Sequence, residues 1–388
     1  MTAPARDLTL DDAVAAVAAE AADHAKEVDR DARFPDEGIA ELRRFGLLGA
    51  LVPADMGGMG LGLVDLVRGI RTVAAGCGST AMIWAMHCIQ VACLVDHGGT
   101  PYLRDSLREV AEGQLMLASV TSEVGIGGDI RTSTAAVTES ATGCHVKKSA
   151  PTVSYGDHAD GFLLTARRGP SAGPSEQVLV MLNRSQVCLD RTGGWDTLGL
   201  RGTVSCPFEI TAKFQPDQVF PTPFGDIAAR TMLPVSHLLW AACWSGMANA
   251  ACQRARHYLR RRGRTASPVG QALAEVHLSD GDAELSVIDL ALADCLQAYL
   301  TSTNGGSTDN QTAPRSLGVR LNQLKVISSE RSLAAAEHAL TVCGMAGYSE
   351  SSPFSVARML RDLHSARIMI SNDRLREATG HLLTAGLT

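Results

Sequence analysis

Aromatic residues and positive charge are both scarce in this sequence of 388 residues. Phe, Trp and Tyr together make up 4% of the chain, and the formal net charge is −6 at pH 7. A negative balance argues against a nucleic-acid-binding protein, because such proteins need basic surfaces that pair with phosphates. Hydrophobic residues nevertheless make up 45% of the chain. That share is enough for a large interior, and the length predicts two or three packed units.

Paired cysteine motifs are also missing. The sequence contains ten cysteines, but none of them belongs to a C-x-x-C pair. Cys88 and Cys93 lie instead in the apolar segment MHCIQVACLV. Cysteines in such surroundings are typical of small buried side chains in a reducing compartment, and they predict neither a disulfide framework nor a metal site.

Targeting signals are absent from the N-terminal sequence as well. Its alanine-rich run follows acidic residues in TLDDAVAAVAAEAADHA, without the basic start and long apolar core of a signal peptide. The sequence also shows no apolar run that we expect to be long enough for a membrane span. We therefore expect a cytoplasmic protein with no membrane partner.

Secondary-structure patterns divide the chain into helices, then strands, then helices again. Residues 1–113 have helical patterns, and residues 114–224 contain short segments rich in Val and Thr between clusters of Gly, Pro, Asp and Ser. From residue 225 the helical spacing returns. The sequence therefore predicts an α+β fold with an N-terminal helical domain (1–113), a middle β-barrel or sandwich domain (114–224) and a C-terminal helical bundle (225–388).

Four segments, in this order, resemble the acyl-CoA dehydrogenase family over nearly the whole chain. They are FPDEGIAELRRFGLLGALVPADMGGMGLGL, LASVTSEVGIGGD, WDTLGLRGTVSCPFEI, and CGMAGYSE followed by RMLRDLHSARIMI. The resemblance implies FAD, bound between the β domain and the bundle of a homodimer or homotetramer. It also implies desaturation of an acyl group held by CoA or by an acyl carrier protein, with an electron acceptor that the sequence does not indicate.

The same resemblance assigns flavin contacts to the β domain. Ser119, Thr121 and Ser122 fall where the family contacts the flavin ring, and Ser154 falls where a hydroxyl reaches flavin N5. Thr152 replaces a tryptophan that usually shields the ring. We therefore predict that the four hydroxyl residues bind flavin, although the surroundings of the ring differ from those in the family.

Two positions in the bundle match family residues that reach the FAD of a neighbouring subunit. Arg262 lies in the basic run RARHYLRRRGR, and Gly344 lies in CGMAGY. A guanidinium at a helix C-terminus suits a phosphate. The simpler interpretation is that most of these arginines form a solvated face.

The catalytic base is the least regular part of the resemblance. Desaturation needs a base that removes the α proton of the acyl group while hydride leaves the β carbon for the flavin. Ser351 stands where the family usually has glutamate, and Glu350 is the only carboxylate in the loop GYSESSPFSVA. Other family members carry the base on the first long bundle helix, where this chain has Ser236 and then His237. Glu350 and His237 are therefore the candidate catalytic residues, against an exposed loop carboxylate and a buried core histidine as the simpler interpretations.

Three functions remain open on the sequence. The first is FAD-dependent α,β-desaturation of an acyl thioester with a displaced base, which the retained GYSE and RMLRD segments favour. The second is a flavin-dependent monooxygenase on the same scaffold, which would need no carboxylate at the dehydrogenase position. The third is a non-catalytic homologue that binds flavin or an acyl thioester, which the altered flavin contacts favour.

Overall fold

A computed structural model describes residues 9–262, 268–304 and 313–386. The first helix is capped by Thr9: its Oγ1 accepts a hydrogen bond from the Asp12 N–H at 3.2 Å, and the Asp12 carboxylate accepts one from the Thr9 N–H at 3.1 Å. This reciprocal capping satisfies two N–H groups that the helix leaves free. The N-terminal helices are α1 (Leu10–Asp31), α2 (Asp36–Arg44), α3 (Leu63–Gly76), α4 (Gly78–His97) and α5 (Pro101–Gly113).

The middle of the chain forms two β-sheets. A three-stranded sheet has the order β1-β4-β5, with β1 parallel to β4, and a four-stranded antiparallel sheet has the order β2-β3-β7-β6. Buried and less buried residues alternate along the last strand, as expected for a strand with one face on the core. The strands are β1 (Leu117–Val120), β2 (Thr138–Ser140), β3 (Gly143–Val153), β4 (Gly161–Arg167), β5 (Gln177–Asn183), β6 (Val187–Arg191) and β7 (Cys206–Phe214).

Long helices form the C-terminal part. The polar segment 301–314 is partly helical, because one helix continues to Asn304 and the next begins at Ala313, while residues 305–312 lie outside the described ranges. The helices are α6 (Phe224–Ile227), α7 (Leu233–Arg262), α8 (Pro268–Asn304), α9 (Ala313–Cys343), α10 (Met345–Tyr348), α11 (Ala357–His364) and α12 (Asn372–Thr384). The predicted α+β fold is thus confirmed, whereas the domain boundaries stay a prediction.

Helix α4 corrects one expectation from the sequence. By length and composition it could cross a membrane, although no such run was expected. In the fold, however, 89% of the apolar stretch is buried inside the chain, where α4 packs against α3 and α7. Gly78 faces Met247 of α7 so closely that a side chain at this position would overlap the methionine sulfur. Helix α4 is therefore a core helix of the fold, and α7 crosses the same core from the bundle side.

Candidate functional site

Hydroxyl groups cluster where β1 and β3 end. The hydroxyls of Ser119 and Thr121 are 3.2 Å apart, and Ser122 Oγ donates to the Thr152 carbonyl at 2.6 Å. These side chains are partly or fully exposed. The three predicted flavin contacts of β1 therefore lie on one open, polar edge of the β domain, next to the position where the family has its tryptophan.

A glycine turn follows this edge. Gly125, Gly127 and Gly128 have φ values of 91°, 59° and 81°, which L side chains rarely adopt. Arg374 of α12 reaches the turn and donates to the Gly127 carbonyl, and a Cβ on Gly128 would lie 3.1 Å from Arg374 Nη1. Backbone N–H groups of a left-handed turn and a guanidinium are both donors that suit a phosphate.

The turn is fixed by a buried carboxylate at its base. Glu123 accepts hydrogen bonds from Ser133 Oγ at 2.6 Å and from the N–H groups of Thr134 and Ala135 at 2.8 and 2.7 Å, and it lies 3.4 Å from Lys148 Nζ. Burial opposes the charge, but the hydrogen bonds from Ser133, Thr134 and Ala135 and the charge of Lys148 together lower the pKa of Glu123. Because Glu123 joins both ends of the segment, the glycine turn is held on a rigid base.

Ser154 belongs to a chain of hydroxyls that leads away from the edge. Its hydroxyl is 2.8 Å from that of Ser205, which is 2.9 Å from that of Thr203, and Thr203 Oγ1 donates to the Leu200 carbonyl at 2.8 Å. Ser205 and Thr203 are buried. The chain therefore holds Ser154 in place and connects it to the segment that carries Leu200.

Asp362 of α11 anchors that segment to the bundle. Its Oδ1 accepts from the Leu200 N–H at 2.6 Å, and its Oδ2 lies 3.9 Å from Arg358 Nη1. Burial raises the pKa of Asp362 to about 6, although Arg358 and the Leu200 N–H act in the opposite direction. The RMLRD segment singled out in the sequence thus has a structural role, in which it joins the bundle to the β domain.

Glu350 faces solvent. Its side chain is 59% exposed and forms an ion pair with Arg361, which also pairs with Asp29 of α1. The loop that follows it borders a cavity of about 330 Å³ lined by Pro353 and Phe354 together with residues of α7, and Glu350 is not among the lining residues. These properties are those of an exposed loop carboxylate, which is the simpler interpretation of Glu350. Its role as a base stays a prediction.

His237 is in the opposite situation, because only 2% of it is exposed. Within the described residues, its ring nitrogens have no partner of ordinary hydrogen-bond geometry, although the Leu321 backbone lies close enough to oppose the fall in its pKa. Burial and the positive charge of Lys325 lower the pKa of His237 to about 4. The imidazole is therefore neutral at physiological pH, and it is a weak base but a competent hydrogen-bond donor.

His237 begins a row of such groups on α7. The indole N–H groups of Trp240 and Trp244 are also buried without a hydrogen-bond partner in the described ranges. The ring centroids are 6.5 Å apart for His237 and Trp240 and 6.2 Å apart for Trp240 and Trp244. Buried polar groups are nearly always hydrogen-bonded in folded proteins. Three adjacent groups of this kind are therefore donors that a bound ligand or water can satisfy.

Lys325 was not singled out in the sequence. It is fully buried on α9, where its Nζ donates to Asn372 Oδ1 at 2.7 Å and lies 5.8 Å from the Trp244 ring centroid. Burial lowers its pKa to about 7. The sequence alone does not indicate that this lysine is buried, because its contacts form only when α9 packs against α12 and α7.

Arg262 and Gly344 lie at the same end of the bundle. Arg262 ends α7 and is exposed, and Gly344 precedes α10 with a φ of 56°. Cys252 Sγ lies 3.5 Å from the Ala335 carbonyl oxygen, which shows that the C-terminal halves of α7 and α9 run side by side. Arg262 and Gly344 are thus placed at one end of the bundle by the packing of α7 on α9. Their proposed contact with a neighbour's cofactor stays a prediction.

These residues fit a flavin. Hydroxyls for the polar edge of the ring, a glycine turn with a guanidinium for a phosphate, and unsatisfied buried donors on α7 are the groups that such a cofactor and its substrate require. The phosphate donors suit FMN and FAD equally, because both flavins carry a phosphate on the ribityl chain.

Comparison with known proteins agrees with this fit. The family descriptions "Acyl-CoA dehydrogenase, N-terminal domain" and "Acyl-CoA dehydrogenase, C-terminal domain" match residues 4–114 and 225–370. Amino sugar nitrososynthase DnmZ of Streptomyces peucetius is 26% identical, over 88% of this chain and 84% of the relative. Dibenzothiophene monooxygenase of Mycolicibacterium goodii is 24% identical, over 79% of this chain and 77% of the relative.

A solved structure shows the same fold. KijD3, in complex with FMN and dTDP-3-amino-2,3,6-trideoxy-4-keto-3-methyl-D-glucose, has a TM-score of 0.83 and 24% identity, covering 98% of this chain and 93% of that chain. The fold is therefore one in which flavin-binding proteins have been solved, and the relatives by sequence include proteins named as nitrososynthases, a dibenzothiophene monooxygenase and an isovaleryl-CoA dehydrogenase.

Proposed function

The chain belongs to the acyl-CoA dehydrogenase family, and we propose that it is a flavin-dependent monooxygenase that oxidises a nitrogen or sulfur atom of a small substrate. The second hypothesis from the sequence thereby moves ahead of the first. Its support comes from the position of Glu350 and from the names of the relatives in the preceding comparison.

The observation that carries the proposal is the position of Glu350. A desaturase needs a base next to the α carbon of its substrate, with a pKa near the working pH. Glu350 instead lies 59% exposed in an ion pair with Arg361. His237 is buried, but its pKa of about 4 makes it a poor acceptor for a carbon-bound proton. Oxygen transfer to a nitrogen or sulfur lone pair does not require removal of a proton from carbon.

When bound, a reduced flavin would supply the two electrons that, with two protons, let one atom of dioxygen enter the substrate and the other leave as water. The chain binds and orients the reactants. Ser119, Thr121 and Ser122 offer hydroxyls to the flavin ring, and Arg374 with the glycine turn offers donors to its phosphate. The buried surroundings of α7 exclude water, which protects an oxygen-activating site from unproductive side reactions.

His237 and Trp240 are proposed as substrate-facing donors. The indole N–H of Trp240 lacks a partner in the described part of the chain, and the His237 ring has only the Leu321 backbone beside it. A neutral imidazole and an indole can donate to a carbonyl or hydroxyl of the substrate without adding a positive charge that would repel an amine. An amino sugar joined to a nucleotide is the first substrate class to test, since relatives with 26% and 27% identity are named as amino sugar and L-evernosamine nitrososynthases.

Desaturation of an acyl thioester is the second candidate. It is favoured by the position of Glu350 in the loop before α11, since Arg361 fixes this carboxylate next to the RMLRD segment that the sequence resemblance includes. A shift of the loop would be needed to bring the carboxylate inward. CoA or a carrier protein would then be the partner, with FAD as the predicted flavin.

The two candidates are separated by the behaviour of the flavin. The purified protein is loaded with FMN or FAD and mixed anaerobically with short- and branched-chain acyl-CoA thioesters, and a second sample is reduced and mixed with oxygen and an amino sugar nucleotide. We expect no bleaching by the thioesters and substrate-dependent oxygen consumption in the second sample. Bleaching by a thioester without added reductant would instead establish the desaturase.

A further inference from the structure

A cluster of metal-ligating side chains lies outside the flavin region, between α8 and α9. His277 and Asp280 of α8 and His338 of α9 each place one ligand atom within 4.8 Å of the others. From this cluster we infer a binding site for a divalent transition-metal ion, with Zn²⁺ as the principal candidate. The cysteines of the sequence predict no metal site, but the ligands of this cluster are histidines and a carboxylate.

The two histidines face each other through the same ring nitrogen. Nδ1 of His277 lies 3.1 Å from Nδ1 of His338, and the ring centroids are 5.4 Å apart. Two nitrogens bound tetrahedrally to zinc, each at about 2.0–2.1 Å, are about 3.4 Å apart. The observed separation therefore needs only a small opening to accept the ion.

Helix geometry brings the third ligand to the same place. Asp280 follows His277 by three residues, and side chains at this spacing lie on one face of a helix. Gly281 comes next, and a Cβ placed on it would already be in contact with His338 Cβ at 3.4 Å. No side chain of Gly281 separates the two helices, so the α8 ligands and the α9 ligand converge.

The ligand types select the metal. Two imidazoles and one carboxylate are typical of zinc and its neighbours, whereas Mg²⁺ and Ca²⁺ prefer oxygen ligands alone. His277 and His338 are partly buried and Asp280 is exposed, so the ion has an entry path and water can complete the tetrahedral set. Such an ion would cross-link α8 to α9 independently of the flavin.

The test uses tag-free, flavin-loaded full-length protein, first treated with a chelator and then dialysed against Zn²⁺ alone. Metal content per chain is measured by mass spectrometry across a zinc titration. We expect one zinc per chain in the wild type and a higher melting temperature with zinc than without it, because the ion binds only the folded form. Loss of a partner behind a metal ligand already weakens binding about 10- to 100-fold, so His338→Ala and His277→Ala should each weaken it by at least about 100-fold.

His381→Ala is the matched control, since His381 is an exposed histidine of α12 whose side chain is 77% accessible. This variant should bind zinc like the wild type. Asp280→Asn changes an exposed side chain, so it decides the question if either ligand histidine variant fails to fold. It should weaken binding by about 10-fold or more, because the amide keeps an oxygen donor but loses the negative charge. Equal zinc content in wild type and Asp280→Asn at every concentration, or no zinc in the wild type, overturns the inference and leaves the histidine pair as an ordinary hydrogen bond.

Discussion

Replacing Glu350 by Gln gives the sharpest distinction between the two candidate reactions. The variant keeps the size of the side chain and removes its charge. Glu350 is 59% exposed, and its partner Arg361 keeps a second ion pair with Asp29. An exposed ion pair contributes about 0–1 kcal/mol to the free energy of unfolding, so Glu350→Gln should cost less than about 1 kcal/mol and retain its flavin.

The same variant should leave the reaction almost unchanged. If Glu350 removed a proton from carbon, its loss would lower the rate of flavin reduction by a thioester about 10²- to 10⁴-fold. Since the carboxylate is turned to solvent, we expect substrate-dependent oxygenation to change by less than about twofold, which corresponds to a few tenths of a kcal/mol in the barrier. His237→Gln should have a larger effect, mainly on KM, because it alters a buried donor.

Stopped-flow absorbance of the flavin measures both half-reactions for the wild type and both variants with the same substrates. A loss of 100-fold or more in Glu350→Gln, with normal folding and flavin content, would refute the assignment of Glu350 to the solvent side. It would return the desaturase to first place.

Three further predictions concern the anchors Asp362 and Arg374 and the exposed surface of α8. The pKa of Asp362 rises from its ordinary 3.8 to about 6 in the fold, so the folded protein holds this proton more tightly than the unfolded chain does. As the pH rises from 3.8 to 6, the free energy of unfolding should therefore fall by up to about 3 kcal/mol, and it should stay level at higher pH. Denaturant titrations should show no such component in Asp362→Asn, and an equal pH profile in both proteins would contradict it. Arg374→Ala should weaken flavin binding about 10- to 100-fold, the scale of a charged hydrogen bond, whereas Arg376→Ala on the same helix should not, and equal affinities by fluorescence titration would exclude the phosphate role. We also expect a homo-oligomer, since α8 exposes Leu273, Val276 and Leu290 along its length. Leu290→Asp should shift light scattering towards the monomer, and a monomeric wild type would refute this.

The three-part fold could be predicted from sequence because its signals are local. The Thr9 cap, the alternation in β7 and the helical spacing of the bundle each depend on residues close together in the chain. The sequence of α4 does not show how apolar the helix is, because Ser, Thr, His and Gln interrupt its hydrophobic residues. The fold nevertheless buries almost all of these polar side chains.

The supports of the candidate site could not be predicted in this way. Arg374 reaches Gly127 across 247 positions, and Asp362 reaches the Leu200 N–H across 162 positions. These contacts exist only after the β domain has packed on the bundle, and no local pattern encodes them. The resemblance assigned Ser119 and Ser154 to the flavin, but only the fold shows which hydroxyls face outward and which are joined to a buried chain.

The central claim is that one oxygen atom of dioxygen enters the substrate. The most direct measurement is a single turnover of the reduced, flavin-loaded protein under ¹⁸O₂ with an amino sugar nucleotide, followed by mass spectrometry of the product. The account predicts one ¹⁸O atom in the product for each molecule of reduced, flavin-loaded protein, and no labelled product when the protein is left out. Recovery of the amino sugar nucleotide without ¹⁸O, together with desaturation of an acyl thioester by the oxidised protein under anaerobic conditions, would contradict it.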